Sequence, residues 1–210
     1  MRLPGSLMAR EPQAADYAPR VEWAEYLALD DPPGLRLELE EGRLLVSPSG
    51  RTAHNVLRDL LLMLLAAYEE EHPDRCFVVS EQSFFMPEGK RDFRPDVAVI
   101  VDARKDGPID PVAWIHGAPD IAVEILSAST EERDLGLKAR RYFEQGSDEY
   151  WVLDPVARTA SFFARGERGW RDFPVDEAGV YRTALLPGLE LSIPALWTRL
   201  DRKLRQSAPG

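Results

Sequence analysis

The sequence predicts a mixed α/β domain, a central sheet flanked by helices, on three observations. Val97–Val101 and Ile121–Leu126 are almost wholly apolar runs bounded by turn residues, the pattern of strands buried on both faces. Thr52–Glu70 is the longest helical pattern, with Val56, Leu57, Leu60, Leu61, Leu64 and Tyr68 on its inward face. A second helical pattern separates Ile121–Leu126 from the apolar Glu149–Leu153. That helix is a crossover, so these two strands are expected to run parallel with a right-handed connection.

In chain order, Val21–Leu29 reads as a short amphipathic helix closed by Asp30-Asp31-Pro32-Pro33. Leu35–Val46 alternates apolar and polar residues around the Glu41-Gly42 turn, a hairpin that returns through Arg43–Ser47. Pro48-Ser49-Gly50 breaks the chain before the long helix, whose Glu69-Glu70-Glu71 end reads as solvated. Cys76–Phe85 is a strand, and residues 103–118 form a loop over one edge in which Trp114 packs. After Leu126, Ser127, Ser129 and Thr130 offer caps to a helix with Leu135, Ala139, Tyr142 and Phe143 as its stripe and Gly146 as its stop. Thr159–Ala164 and Trp170–Phe173 form a hairpin around Gly166, Leu189–Leu191 is extended, and Pro194–Leu204 is a closing helix.

Composition bounds the rest. With 210 residues, 44% hydrophobic and 30% charged, the chain suits one soluble domain at 19–205 between loose tails at 1–18 and 206–210. A net charge of −10 argues against a strong non-specific nucleic-acid binder without excluding a local basic groove. The lone Cys76 cannot form an internal disulfide, the longest apolar run, Leu60–Ala67, is too short to span a bilayer, and no signal peptide is evident, so a cytoplasmic protein without membrane contact is expected. No Cys/His metal cluster and no Gly-rich phosphate loop is visible.

Two residues stand out against this background. Glu124 is the only charge inside an otherwise apolar strand, and an ionised carboxylate there needs a partner. Strand parity sets Glu124 and Leu126 on one face, with Ile121, Val123 and Ile125 on the other. Lys138 falls on the edge of the following helix's stripe, three residues from Leu135 and four from Tyr142. The plainer reading is a structural ion pair, or a lysine reaching past the core edge. The strands before Glu124 are joined by loops, so neighbours run antiparallel and the start of one lies beside the end of the next. Asp96 opens its strand and Glu124 lies near the end of the following one, so the two should meet. Asp120 should sit at the opposite end. Paired carboxylates repel, and a hard divalent cation with one or two protein carboxylates and several waters resolves the repulsion. For Glu38 the plain expectation is an exposed strand position, and for His54 a surface or packing role, with the helix N-terminus depressing its pKa.

The segments Glu38-Leu39-Glu40-Glu41-Gly42, His54, Arg94-Pro95-Asp96, Glu124-Ile125-Leu126-Ser127, Arg133-Asp134 with Lys138, and Glu149-Tyr150-Trp151-Val152-Leu153-Asp154-Pro155 together resemble the PD-(D/E)XK nuclease superfamily. More closely they are similar to a large bacterial family of small restriction-endonuclease-like proteins, over roughly residues 20–190. The resemblance implies a restriction-endonuclease-like core of mixed α/β (α+β) class, with an N-terminal hairpin and a C-terminal β extension. It implies that Asp96 and Glu124 hold Mg²⁺ or Mn²⁺, with the Ile125 carbonyl as a further ligand. The lysine of the usual pattern would stand at Leu126. Its absence points to Lys138 on the next helix, and Ala128 replaces a common proline. Glu38 and His54 match positions near the site, as acidic ligand or phosphate contact. The expected activity is endonucleolytic hydrolysis of DNA by a homodimer. The competing reading is a binding or regulatory module that kept the fold and lost the chemistry.

Overall fold

The computed structural model describes residues 20–86, 89–101, 115–127 and 131–206. The tail expected at 1–18, all but Gln206 of the tail expected at 206–210, Trp114, most of the loop at 103–118, Ala128, and the cap candidates Ser129 and Thr130 lie outside the described residues. Helix α1 (Trp23–Leu27) precedes the hairpin β1 (Leu35–Glu40) and β2 (Arg43–Pro48), and α2 spans Thr52–Glu71. There follow β3 (Cys76–Ser80), β4 (Phe84–Met86), β5 (Arg91–Phe93), β6 (Val97–Val101), β7 (Ile115–His116) and β8 (Ile121–Ile125). Next come α3 (Glu131–Arg133), a π-helical turn (Asp134–Lys138) and α4 (Ala139–Glu144). The chain closes with β9 (Glu149–Asp154), β10 (Thr159–Arg165), β11 (Trp170–Asp172), β12 (Val180–Tyr181), β13 (Leu191–Ser192) and α5 (Ile193–Gln206). No helix among the described residues is long and apolar enough to cross a membrane.

The central sheet has the order β11-β10-β9-β8-β6-β3. β6 and β8 are antiparallel with Val97 opposite Val123, and β8 and β9 are parallel with Glu124 opposite Val152, as the loop and helix connections require. Parity divides the two faces. Val97, Val99, Ile121, Val123, Ile125, Trp151 and Leu153 pack against Leu57, Leu61 and Leu65 of α2 and Leu196 and Leu200 of α5. Each fully buried leucine there contributes about 1.5–3 kcal/mol. The opposite face presents Ala122, Tyr150 and Val152 to Leu137, Ala139 and Tyr142. Glu124 shares parity with that second set.

A second sheet, β2-β1-β5-β4-β7, departs from expectation. Cys76–Phe85 is not one strand. Glu81 takes a left-handed φ of 52°, and the chain leaves the central sheet there. It crosses to β4, returns through the unpredicted β5, and re-enters the central sheet over Arg94–Asp96. β1 is buried on both faces: Leu37 and Leu39 lie under Tyr26 and Phe85, while Glu38 and Glu40 are themselves only 0% and 2% exposed. The alternation in β1 therefore marks two different interiors rather than core and solvent.

Two buried carboxylates outside the central cavity hold these layers. Glu149 opens β9 and accepts hydrogen bonds from Trp151 Nε1 (2.8 Å), Tyr181 O–H (2.7 Å) and Thr183 O–H, tying the C-terminal β extension to the sheet. Asp92 in β5 accepts from Tyr26 O–H of α1 and from Ser83 Oγ at 3.0 Å, both on Oδ2, while Oδ1 makes no hydrogen bond. Burial, only partly opposed by those bonds and by Arg94, pushes the Asp92 carboxyl from 3.8 up to about 6. The folded protein then binds a proton that the unfolded chain has released, so stability falls as pH rises from about 4 to about 6. The whole change is on the order of 3 kcal/mol. In thermal unfolding across pH 4–7, wild type should lose this increment relative to Asp92→Asn. Parallel Tm curves for the two proteins would refute the assignment.

Candidate active site

Asp96 stands where the chain re-enters the central sheet. Its N–H donates to Val123 O at 3.0 Å, and its Oδ2 accepts the Ile125 N–H at 2.8 Å, which fixes it beside the end of β8. His54 Nε2 lies 3.2 Å from Oδ2, and both terminal nitrogens of Arg36 lie 3.4 Å from Oδ1. Burial would raise this carboxyl, but His54, Arg36 and the Ile125 N–H outweigh it and hold Asp96 below the usual carboxylate range.

His54 is buried in the first turn of α2. Gly50 lets the ring in, since a Cβ there would stand 2.3 Å from His54 Nδ1. The expected depression of its pKa is reversed. Burial does lower it, yet the Asp96 hydrogen bond and charge, with Asn55, outweigh burial and leave it above the ordinary imidazole value.

Glu124 projects from the face of β8 that packs against the π turn and α4. Its Oε1 accepts from Lys138 Nζ at 2.9 Å and from Tyr142 O–H at 3.2 Å. Lys138 Nζ is also 2.9 Å from Glu38 Oε1 and 3.8 Å from Asp134 Oδ1. Lys138 is only 1% exposed, because the widened i→i+5 turn carries it from the stripe's edge into the interior. Burial pulls the lysine down, but the Glu124, Glu38 and Asp134 carboxylates more than compensate and keep it an ammonium.

Glu38 and Glu124 compete for that one ammonium, and they differ. Glu38 also has Arg133 Nη2 at 3.2 Å and the Arg94 N–H at 2.9 Å, and despite burial its carboxyl is held at about 2. Glu124 has no second cation at contact distance among the described residues. Burial drives it well above the usual range, Lys138 opposes this, and Asp134, Asp96 and Glu38 add to the rise. Of the two, Glu124 is the carboxylate whose charge is less fully compensated.

All five candidates from the sequence thus belong to one constellation. Asp96, Glu124, Lys138 and His54 line a cavity of about 20 Å³, the size of one water-sized occupant, and Glu38 buttresses it from behind Lys138. Asp120 is far from it, accepting the Val101 N–H at the other end of β8. Three residues were not among the candidates. Arg36 shares a strand face with Glu38 two positions on, and Asp134 is four residues before Lys138 on the same helical face, spacings that could have indicated both. Arg133 and Asp134 stand in one of the segments that carry the family resemblance, although no role at the site was expected of either.

Among the described residues, no group of three or more His, Cys, Asp or Glu side chains is arranged to hold a metal ion. Two carboxylates in one small cavity suffice for a hard divalent cation that keeps most of its waters. Glu124 shares its one contacting ammonium with Glu38, and the carboxylates lining the cavity are oxygen donors, so the set fits Mg²⁺ or Mn²⁺ and gives no reason to expect a softer metal.

The family model described as "Uma2: Putative restriction endonuclease" matches residues 23–194. Among curated proteins nothing matches the chain. Among solved structures the chain is similar to "a putative nuclease belonging to DUF820 from Anabaena variabilis ATCC 29413", with 21% identity and a TM-score of 0.71 over 86% of this chain and 99% of that one. At this identity the likeness is one of fold, and it agrees with the mixed α/β architecture.

Proposed function

The chain belongs to the Uma2 family of restriction-endonuclease-like proteins, and from that premise we propose that it hydrolyses phosphodiester bonds in DNA, using Mg²⁺ or Mn²⁺ held by Asp96 and Glu124. One observation carries the reading: carboxylates from two antiparallel strands open into the same small cavity, with an ammonium 2.9 Å from one of them. When bound, the cation would lower the pKa of its water and draw charge from the phosphoryl oxygens. The chain's own groups have separate tasks. The Ile125 N–H and His54 aim Asp96, so that its orientation does not depend on the ligand. Lys138 stays protonated and acts as a fixed positive charge and hydrogen-bond donor, not as a general base. Glu38 stays ionised and holds Lys138 in place.

The test is nicking of supercoiled DNA in Mg²⁺ or Mn²⁺, with single-stranded RNA as a parallel substrate. Wild type should cleave, and Asp96→Ala and Glu124→Ala should each be inactive. Cleavage surviving both changes would defeat the assignment, and cleavage of RNA alone would move the substrate class. The rival module without chemistry draws support from the net charge of −10 and from Leu126 standing where the usual pattern has lysine. Calorimetric titration with Mn²⁺ discriminates: heat of binding that disappears in Glu124→Ala favours the enzyme, and no binding favours the rival.

A further inference from the structure

Three permanent cations line the cavity, and they are not equally available. Lys138 is enclosed and shared between two carboxylates at 2.9 Å. Arg36 is committed through both terminal nitrogens, to Arg94 O at 3.3 Å, to Asp96 and to Glu81. Arg133 is different. It has one short ion pair, from Nη2 to Glu38 Oε2 at 3.2 Å, and neither Glu38 Oε2 nor Arg133 Nε, both buried, has a hydrogen bond of good geometry. Asp134 Oδ1 stands 3.9 Å from that Nε, beyond hydrogen-bond reach. The Arg133 side chain lines the cavity and is 16% exposed, while its Nε is buried.

A buried guanidinium N–H without an acceptor is costly unless a ligand supplies one. The fork of a guanidinium matches two oxygens in a plane, as the non-bridging oxygens of a phosphodiester present them. Resting on the nuclease reading above, we propose that Arg133 is the residue that grips the substrate phosphate, and that Lys138 and Arg36 are held back to orient the acidic pair. This also answers how a chain of net charge −10 meets a polyanion: the attraction is concentrated at one arginine over the cavity, where local field matters more than net charge.

The experiment is binding of a fluorescent 20-base-pair DNA duplex with Ca²⁺ in place of Mg²⁺, titrated over a range of KCl, for wild type, Arg133→Gln and Arg133→Lys. Every phosphate the protein ceases to neutralise should make the slope of log K against log salt shallower by about one. Arg133→Gln is expected to show that change of one unit and to bind roughly tenfold or more weakly. Arg133→Lys, which keeps the charge and not the fork, should regain the slope but not the full affinity. Arg182→Gln, removing a surface guanidinium paired with Asp176 and Glu190, should keep the wild-type slope. An arginine that serves only to neutralise Glu38 would lower Tm in Arg133→Gln and leave the slope unchanged, which overturns this inference alone. A wild-type protein that binds no duplex overturns the nuclease reading and this inference together.

Discussion

Lys138→Met is expected to reduce phosphodiester cleavage by about 10²-fold or more and, in the same protein, to lower the unfolding free energy by about 3 kcal/mol. Both effects have one cause. The ammonium lies 2.9 Å from Glu38 and from Glu124 in the interior, and deleting one partner of a buried ionic group leaves the others uncompensated. The stability loss falls at the low end of the usual range because Glu38 keeps Arg133 and the Arg94 N–H, and burial already raises the Glu124 carboxyl. At this chain length it corresponds to a fall in Tm of about 6–12 °C. Glu124→Gln added to Lys138→Met should recover part of the fall in Tm and none of the activity. Calorimetric Tm together with plasmid nicking separates the two effects. A double variant no more stable than Lys138→Met would show that Lys138 and Glu124 are not energetically coupled.

Glu149→Ala should have a comparable effect on stability and none on chemistry. The side chain is 7% exposed and is the acceptor for Trp151, Tyr181 and Thr183. Its removal strands three buried donors at about 1–3 kcal/mol each, less what an entering water recovers. A loss of about 3–5 kcal/mol, or about 10 °C in Tm, is expected. Glu149→Gln, which keeps an acceptor oxygen, should lose much less. Glu149 pairs with Ile121, at the opposite end of β8 from Glu124. Cleavage per folded molecule should therefore match wild type at a temperature where both are folded. A fall in activity larger than the unfolded fraction would mean that the C-terminal β extension acts on the cavity.

Much of the centre is legible in the sequence because it depends on strand order. Loop connections make β6 and β8 antiparallel, and a helical crossover makes β8 and β9 parallel. Those two facts bring Asp96 toward Glu124 and send Asp120 away. The acid in an apolar run and the lysine at a stripe's edge are visible for the same reason: each is a charge where periodicity calls for burial. Glu38 is harder to read, because its alternation with Leu37 and Leu39 is that of a strand with one wet face. Only a second sheet and the α3–α4 segment turn that face inward. The break at Glu81 leaves no trace either. A left-handed residue at a sheet-to-sheet crossing is normally announced by glycine or asparagine, and here it is a glutamate inside a run that reads as one strand. The π-helical turn is equally silent, since it shows only in the hydrogen bonds it shifts. For His54 the local signal points the wrong way. The helix terminus is visible in the neighbouring residues, while the carboxylate that outweighs it, Asp96, arrives from a strand distant in sequence.

The chain crosses between its two larger sheets at 81–83 and again at 94–96, and the groups of the constellation come from both sides of that seam: position 38 from one sheet, 96 and 124 from the other, 138 from the π turn beyond. Closing such separations is the slow part of folding, because long loops lose entropy before their ends gain contacts. The constellation is complete only when both of those sheets and the π turn are in place. A partly melted polypeptide then lacks the assembled constellation, so any activity that rests on it requires every layer in place.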